Sequence, residues 1–270
     1  MNNKVKTGVV GVGHLGKHHA KHYSKIKSAD LVGVYDTDKN QAKKIAKELK
    51  TKAYDSLDDM LDHLDGVSIV TPTKHHASIA EACILKGKHV FIEKPISKTI
   101  KEADKIIALA KKHKVKLQVG HIERFNPALT PLKDLIIKPK YIEVQRLAPY
   151  MIRGTDIPVV LDLMIHDIDL VLSFISSPVK KIDASGVSIM TSSVDIANAR
   201  IHFENGSVAN ITSSRVAKDK VRKIKIFQRN LYITIDFLIG LTEVYRVMDE
   251  EKKRSSAIIS APIESKGKQR

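Results

Sequence analysis

Asp162 and His166 stand four residues apart in Ile157 to Phe174, a run in which all but a few positions are apolar. At helical spacing a four-residue step puts both side chains on one face, where they can touch. A carboxylate beside an imidazole fixes its tautomer and raises its basicity, so His166 suits a general base near neutral pH. Asp169 and Ser173 continue the stripe, and Asp167 lies beside it. A polar stripe on an apolar helix must face water, a partner or a reaction site. The same pattern also suits a helix with one edge in solvent, or a buried structural His–Asp pair.

Lys94 is the second candidate. It lies between Glu93 and Pro95, directly after the apolar run His89-Val90-Phe91-Ile92. An ammonium at a strand end can stabilise a developing alkoxide or relay a proton. A cis Lys94–Pro95 bond would fix the turn and aim the lysine. In a chain this rich in lysine, the residue alone also reads as an ordinary exposed lysine after a strand. The twelve histidines invite a metal reading. His18 and His22 have i, i+4 spacing, but no third ligand follows by spacing, so no catalytic metal is expected. No nucleophilic Ser or Cys elbow is present, and the single cysteine, Cys83, falls inside a helical stretch where burial is expected.

The third constellation opens the chain. An apolar run containing Val5, Val9 and Val10 leads into Gly11-Val12-Gly13-His14-Leu15-Gly16, a G-x-G-x-x-G. A helical stretch follows, then the strand-like Leu31-Val32-Gly33-Val34-Tyr35, ending at Asp36, 20 residues past Gly16. Gly11 suits a tight turn, Gly13 a close backbone approach to a pyrophosphate, and Gly16 close helix–strand packing. The helix N-terminus offers free N–H groups and partial positive charge to phosphates. Asp36 can accept from a ribose diol and would repel a 2′-phosphate. NAD is therefore expected over NADP, although Lys39 is close enough to swing toward a 2′-phosphate.

The elements that must position these residues alternate strand and helix up to Gly120, as a parallel sheet requires. Val67-Ser68-Ile69-Val70 reads as a strand ending in Thr71-Pro72-Thr73, followed by Lys74-His75-His76 and a helix from Ala77 to Lys86. Ser56 and Asp59 have the spacing of a capping box. Ligands of open parallel sheets sit outside the carboxyl ends of the strands. The glycine loop, Asp36, Thr71 to Thr73 and Glu93-Lys94-Pro95 should therefore meet in one crevice. After Gly120 the pattern changes to strand-like runs with no helix between them, Val179 to Met190 through Leu241 to Val247, with a hairpin signal at Asn205-Gly206. The expected fold class is α/β, a doubly wound Rossmann domain over 1–120, followed by an α+β domain with a mostly antiparallel open sheet over 121–270.

The chain has 270 residues, is 43% hydrophobic and carries a formal charge of +16. No apolar run approaches a membrane span, and no apolar leader opens the chain, so a cytoplasmic protein is expected. Aromatics are only 5% and tryptophan is absent, so little is available to stack on bases, and nucleic acid is not an expected partner. The charge reads as a lysine-rich solvated surface, or as attraction for an anionic ligand such as a dinucleotide or nucleotide sugar.

Together these motifs resemble the Gfo/Idh/MocA family of NAD(P)-dependent oxidoreductases. The matching pieces are the glycine loop, Thr71-Pro72-Thr73 with His76, Glu93-Lys94-Pro95, and Asp162 to Asp169. The resemblance implies Lys94, Asp162 and His166 as the catalytic group. It implies Gly11, Gly13, His14, Leu15, Gly16, Asp36, Thr71, Pro72, Thr73, His76, Glu93 and Lys94 as the cofactor-binding set. It also implies a homodimer or homotetramer formed through the open face of the antiparallel sheet. Gly120-His121-Ile122-Glu123-Arg124-Phe125-Asn126-Pro127 resembles the branch that oxidises nucleotide sugars such as UDP-N-acetylglucosamine. Arg124, Asn126 and Arg153, with His166, become candidate substrate contacts. Members usually continue past the last strand seen here, so a short member or a C-terminally truncated chain is implied. The expected function is hydride transfer between NAD and a secondary hydroxyl of a sugar. The alternative is a non-catalytic NAD-binding regulator of the same fold, which would have no need of Lys94, Asp162 and His166 together.

Overall fold

A computed structural model describes residues 4–151, 157–246 and 259–263. The chain divides into two compact units, Met1–His121 and Ile122–Arg270. In the first, six strands alternate with helices: β1 (Val5–Val10), α1 (Gly16–Tyr23), β2 (Ala29–Tyr35), α2 (Lys39–Leu49), β3 (Lys52–Ala53), α3 (Leu57–Asp62), β4 (Gly66–Ile69), α4 (His76–Leu85), β5 (His89–Ile92), α5 (Ile100–Lys112) and β6 (Leu117–Val119). The sheet order is β3-β2-β1-β4-β5-β6, and every pairing is parallel. The order reverses between β1 and β4, the switch point at which such sheets take ligands.

Side chains alternate across the sheet, so β1 feeds two cores. Val9 packs with Ala20, Ile45 and Ala46 from α1 and α2. Val10 packs with Met60, Leu61, Ile84 and Ile106 from α3, α4 and α5. Each fully buried Leu or Ile contributes about 1.5–3 kcal/mol. Cys83 sits in the second of these cores, and burial pushes its thiol up to about 12. Helix ends follow local chemistry. Asp38 caps α2 by accepting from Asn40 and Gln41 N–H. Thr99 and Glu102 form a reciprocal capping box on α5. The Ser56–Asp59 spacing does not produce one: Ser56 is the N-cap of α3 but makes no side-chain cap bond.

The second unit is built on β7 (Tyr141–Leu147), α6 (Ile165–Phe174), β8 (Val179–Val187), β9 (Ile196–Phe203), β10 (Val208–Ser214), β11 (Val221–Gln228), β12 (Leu231–Asp236), β13 (Leu241–Arg246) and β14 (Ile259–Ile263). Its order is β14-β13-β12-β11-β7-β10-β9-β8. All pairings are antiparallel except β7 with β10. One face packs against α6 and the 3₁₀ turn Pro127–Leu132 through a core that includes Ile142, Val144, Ile211, Ile224 and Ile233. The other face carries four rings in a row, Tyr141, Phe227, Tyr232 and Tyr245, on four adjacent strands. The run expected as one long α-helix from Ile157 is helical without a break from Val159 to Phe174, but not α-helical throughout. Val160–Met164 forms a π turn, and α6 begins at Ile165. Pro158 sits at its mouth, where its carbonyl accepts from both Leu161 and Asp162 N–H.

Candidate active site

The glycine loop is held from both sides. Gly11 adopts φ +83°, and a Cβ there would meet the Val70 carbonyl at 2.8 Å. At Gly16 a Cβ would lie 1.8 Å from the Gly11 carbonyl oxygen. Gly13 faces open space. Two of the three glycines thus permit the loop to exist, and the third leaves its backbone open to a ligand. His14 and Leu15 at the loop tip are exposed. The Val12 N–H donates to Asp36 Oδ2 at 2.8 Å, and the Asp38 N–H to Asp36 Oδ1 at 3.0 Å. Gln41 Nε2 donates to the Val12 carbonyl at 2.8 Å. The Thr37 hydroxyl also donates to Oδ1, at 3.4 Å, so Asp36 stands beside the loop with acceptor capacity remaining on Oδ2. Lys39 is turned elsewhere: its ammonium bonds the Asp55 carbonyl and lies 4.7 Å from the Tyr35 ring centroid.

The ends of β4 and β5 are tied together. His76 is 1% exposed, with Nδ1 2.8 Å from the Pro95 carbonyl and Nε2 2.8 Å from the Thr71 carbonyl. The Lys94–Pro95 peptide is cis. Glu93 is buried, and its Oε1 lies 3.0 Å from His19 Nε2 on α1. Its Oε2 accepts from the Lys94 N–H at 3.3 Å. Lys94 itself is half-buried. Thr71, adjacent to Gly11, has a buried Oγ1 with no hydrogen-bond partner among the described residues. Pro72 is exposed and Thr73 half-buried, at the start of a 3₁₀ turn running to His75.

In the second unit Asp162 lies within the π turn and His166 in the first turn of α6, both half-buried. Single π turns inside helices recur at functional sites. The aspartates beside His166 are committed to ion pairs. Asp167 meets Arg146 of β7 through two bonds of 2.8 Å, with both side chains at most 3% exposed. Burial alone would lower the Arg146 pKa, but Asp167 and Glu123 outweigh it and raise it. Asp169 meets Arg124 through bonds of 2.6 and 2.7 Å, raising the Arg124 pKa. Arg124, a candidate substrate contact, is thus bound through two of its nitrogens to α6, while half its side chain remains exposed. Asn126 accepts from the Ala128 N–H and donates to Glu123, so it caps the following turn. Arg153 lies outside the described residues.

Residues 5–121 match the model of an oxidoreductase family with an NAD-binding Rossmann fold, and residues 152–232 match the Gfo/Idh/MocA C-terminal domain. The chain is 40% identical over 242 residues to a UDP-N-acetylglucosamine 3-dehydrogenase of Acidithiobacillus ferrooxidans, covering 89% of this chain and 77% of that protein. The chain belongs to the Gfo/Idh/MocA oxidoreductase family. A solved structure of the same Acidithiobacillus protein superposes with a TM-score of 0.87 over 90% of this chain and 80% of that one. A scyllo-inositol 2-dehydrogenase (NAD(+)) of Bacillus subtilis is 29% identical over 238 residues, covering 80% and 69%.

As a family member the chain is an oxidoreductase whose first unit binds NAD. The residues present fit that group: an open backbone at Gly13, a buried hydroxyl at Thr71 awaiting a partner, and an acid at the end of β2. Two features escaped the sequence reading. His19 was masked by the surrounding histidines, though it adjoins the buried Ala20 on α1. Arg146 had a legible signal: it shares the inward parity of Ile142 and Val144, where a charge demands a buried partner.

Proposed function

We propose that this protein is an NAD-dependent dehydrogenase that oxidises a secondary hydroxyl of a nucleotide sugar, with UDP-N-acetylglucosamine as the leading substrate. The observation that carries this reading is the 40% identity, sustained across both units, to a protein named for that activity. The presence of Lys94, Asp162 and His166 supports turnover rather than sensing. His166 takes the proton of the sugar hydroxyl, and the Asp162 carboxylate steadies the imidazolium that forms. Lys94 stabilises the oxygen as it becomes a carbonyl. NAD supplies the acceptor for the C–H hydride at its nicotinamide C4. Arg124, Asn126 and Arg153 are the proposed substrate contacts, and the excess of positive charge draws a diphosphate toward the molecule.

The proposed assembly is a homo-oligomer formed through the open sheet face, supported by the solvent-facing ring row from Tyr141 to Tyr245. The proposed location is the cytoplasm; no helix among the described residues is long and apolar enough to cross a membrane.

The test is turnover. Purified protein with NAD and UDP-N-acetylglucosamine should generate NADH absorbance. Lys94→Ala and His166→Ala should each lower kcat by about 10²–10⁴-fold with NAD affinity retained. Full activity in both variants would remove the mechanism.

A further inference from the structure

Lys94 is the residue on which the proposed chemistry depends in the first unit, yet its two chain neighbours are what the fold grips. We propose that His19 and His76 are positioning residues that clamp the Glu93-Lys94-Pro95 turn from two different helices; the inference rests on the dehydrogenase reading for the role of Lys94.

On one side, His19 Nε2 from α1 lies 3.0 Å from Glu93 Oε1. The other oxygen of that carboxylate receives the Lys94 N–H at 3.3 Å. Gly120 lies against that carboxylate with no side chain of its own; a Cβ there would lie 3.0–3.1 Å from its atoms. The Glu93 N–H in turn donates to the Ile69 carbonyl of β4 at 3.0 Å. On the other side, the His76 ring of α4 sits between two carbonyl oxygens, Nδ1 2.8 Å from Pro95 and Nε2 2.8 Å from Thr71, and the nitrogen that carries the proton donates to the carbonyl it faces. That placement sets the turn against the end of β4, where Thr71 flanks the glycine loop. His19 also packs against Phe91 of β5, with ring centroids 5.5 Å apart.

The consequence is mechanical. α1 carries the glycine loop at its N-terminus, and α4 follows Thr71-Pro72-Thr73. Both helices that border the cofactor segments therefore also hold the backbone from which Lys94 projects. A reacting group must be held to within a fraction of an ångström, since a misplacement of about 1 Å can cost about 10²-fold in rate. Neither histidine needs to touch substrate to matter.

Two measurements test the clamp, one of which needs no substrate. Amide hydrogen exchange across residues 92–97 should be faster by about tenfold or more in His19→Ala and His76→Ala than in wild type, while His22→Ala, an exposed change on the same helix, leaves it unaltered. Unchanged exchange in both clamp variants overturns the proposal. In turnover with NAD and UDP-N-acetylglucosamine, both alanine variants should lose kcat by about tenfold to a hundredfold with little change in KM for NAD. A raised KM at unchanged kcat would assign the histidines to the cofactor and overturn the clamp. Should the alanine variants fail to fold, His76→Asn and His76→Gln decide. The asparagine amide replaces Nδ1 and keeps the bond to Pro95; the glutamine amide replaces Nε2 and keeps only the bond to Thr71. The asparagine variant should retain more kcat and slower exchange, and the reverse order overturns the proposal. Lys94→Ala separates the two readings: if it keeps wild-type kcat, the role given to Lys94 fails whatever the exchange shows.

Discussion

At the scale of single residues, buried charges among the described residues of the second unit face a counter-ion or a set of hydrogen-bond donors. Arg146 sits at a core position of β7 and would be costly alone; Asp167 and Glu123 supply its counter-charges. Replacing one partner leaves the other ionised and desolvated. Arg146→Met should therefore destabilise the fold by about 3–5 kcal/mol in urea unfolding, and adding Asp167→Leu should recover much of that loss. Asp195 is a second case. Its Oδ2 accepts the N–H groups of Ile189, Met190 and Thr191 at 2.7–2.9 Å, and its Oδ1 accepts the Thr191 hydroxyl. Burial pushes its carboxyl up, but the Thr191 N–H and hydroxyl and the Ile189 and Met190 N–H groups outweigh it and hold the carboxyl well below the usual range. A lowered folded value means stability that is fully present above the unfolded carboxylate value of about 4 and is lost as pH falls through the folded one. In thermal scans Asp195→Asn should melt below wild type at neutral pH, and the gap should close under strong acid.

At the scale of elements, the glycine loop separates folding from binding within six residues. Gly16→Ala places a methyl group 1.8 Å from the Gly11 carbonyl oxygen, so the loop and α1 must part. Its Tm should fall with NAD binding lost as well. Gly13→Ala meets nothing in the protein, so Tm should hold while NAD affinity drops. Calorimetry and fluorescence titration distinguish the two. The helices differ in how far periodicity could describe them. The parallel sheet and the strand runs of the second half were legible because their apolar runs and turn residues repeat with clear periods. The continuous helix expected from Ile157 formed from Val159, but with its first part wound as a π turn at Val160–Met164, because periodicity registers which residues are apolar and not how the turn is wound. The Ser56–Asp59 spacing was likewise sufficient for a capping box and yet made none, since cap bonds depend on how the chain enters the helix.

At the scale of the whole molecule, the ring row on the open sheet face is the feature that calls for a partner. Tyr141, Phe227, Tyr232 and Tyr245 are in register across β7, β11, β12 and β13. Phe227 is exposed and the three tyrosines are half-buried, and aromatic clusters at the surface recur at interfaces. Under the proposed assembly, Tyr232→Glu should shift the mass seen by light scattering from oligomer to monomer while NAD binding persists. An unchanged mass would place the contact elsewhere.

The residue order alone determined the chemistry on offer here: a dinucleotide loop with its acid, a lysine at a strand end, and an imidazole one turn from a carboxylate. These are local facts, set by spacing within one strand–helix unit or one helix. Only the tertiary structure decided which polar side chains would be drawn into pairing with distant segments. Arg124 and Asn126 looked equally available for substrate until Asp169 and the turn at Ala128 were found against them, and the grips of His19 and His76 on the lysine turn became visible only with the sheet assembled. The reason is that pairing depends on distances between segments far apart in the chain, and those distances are settled by packing.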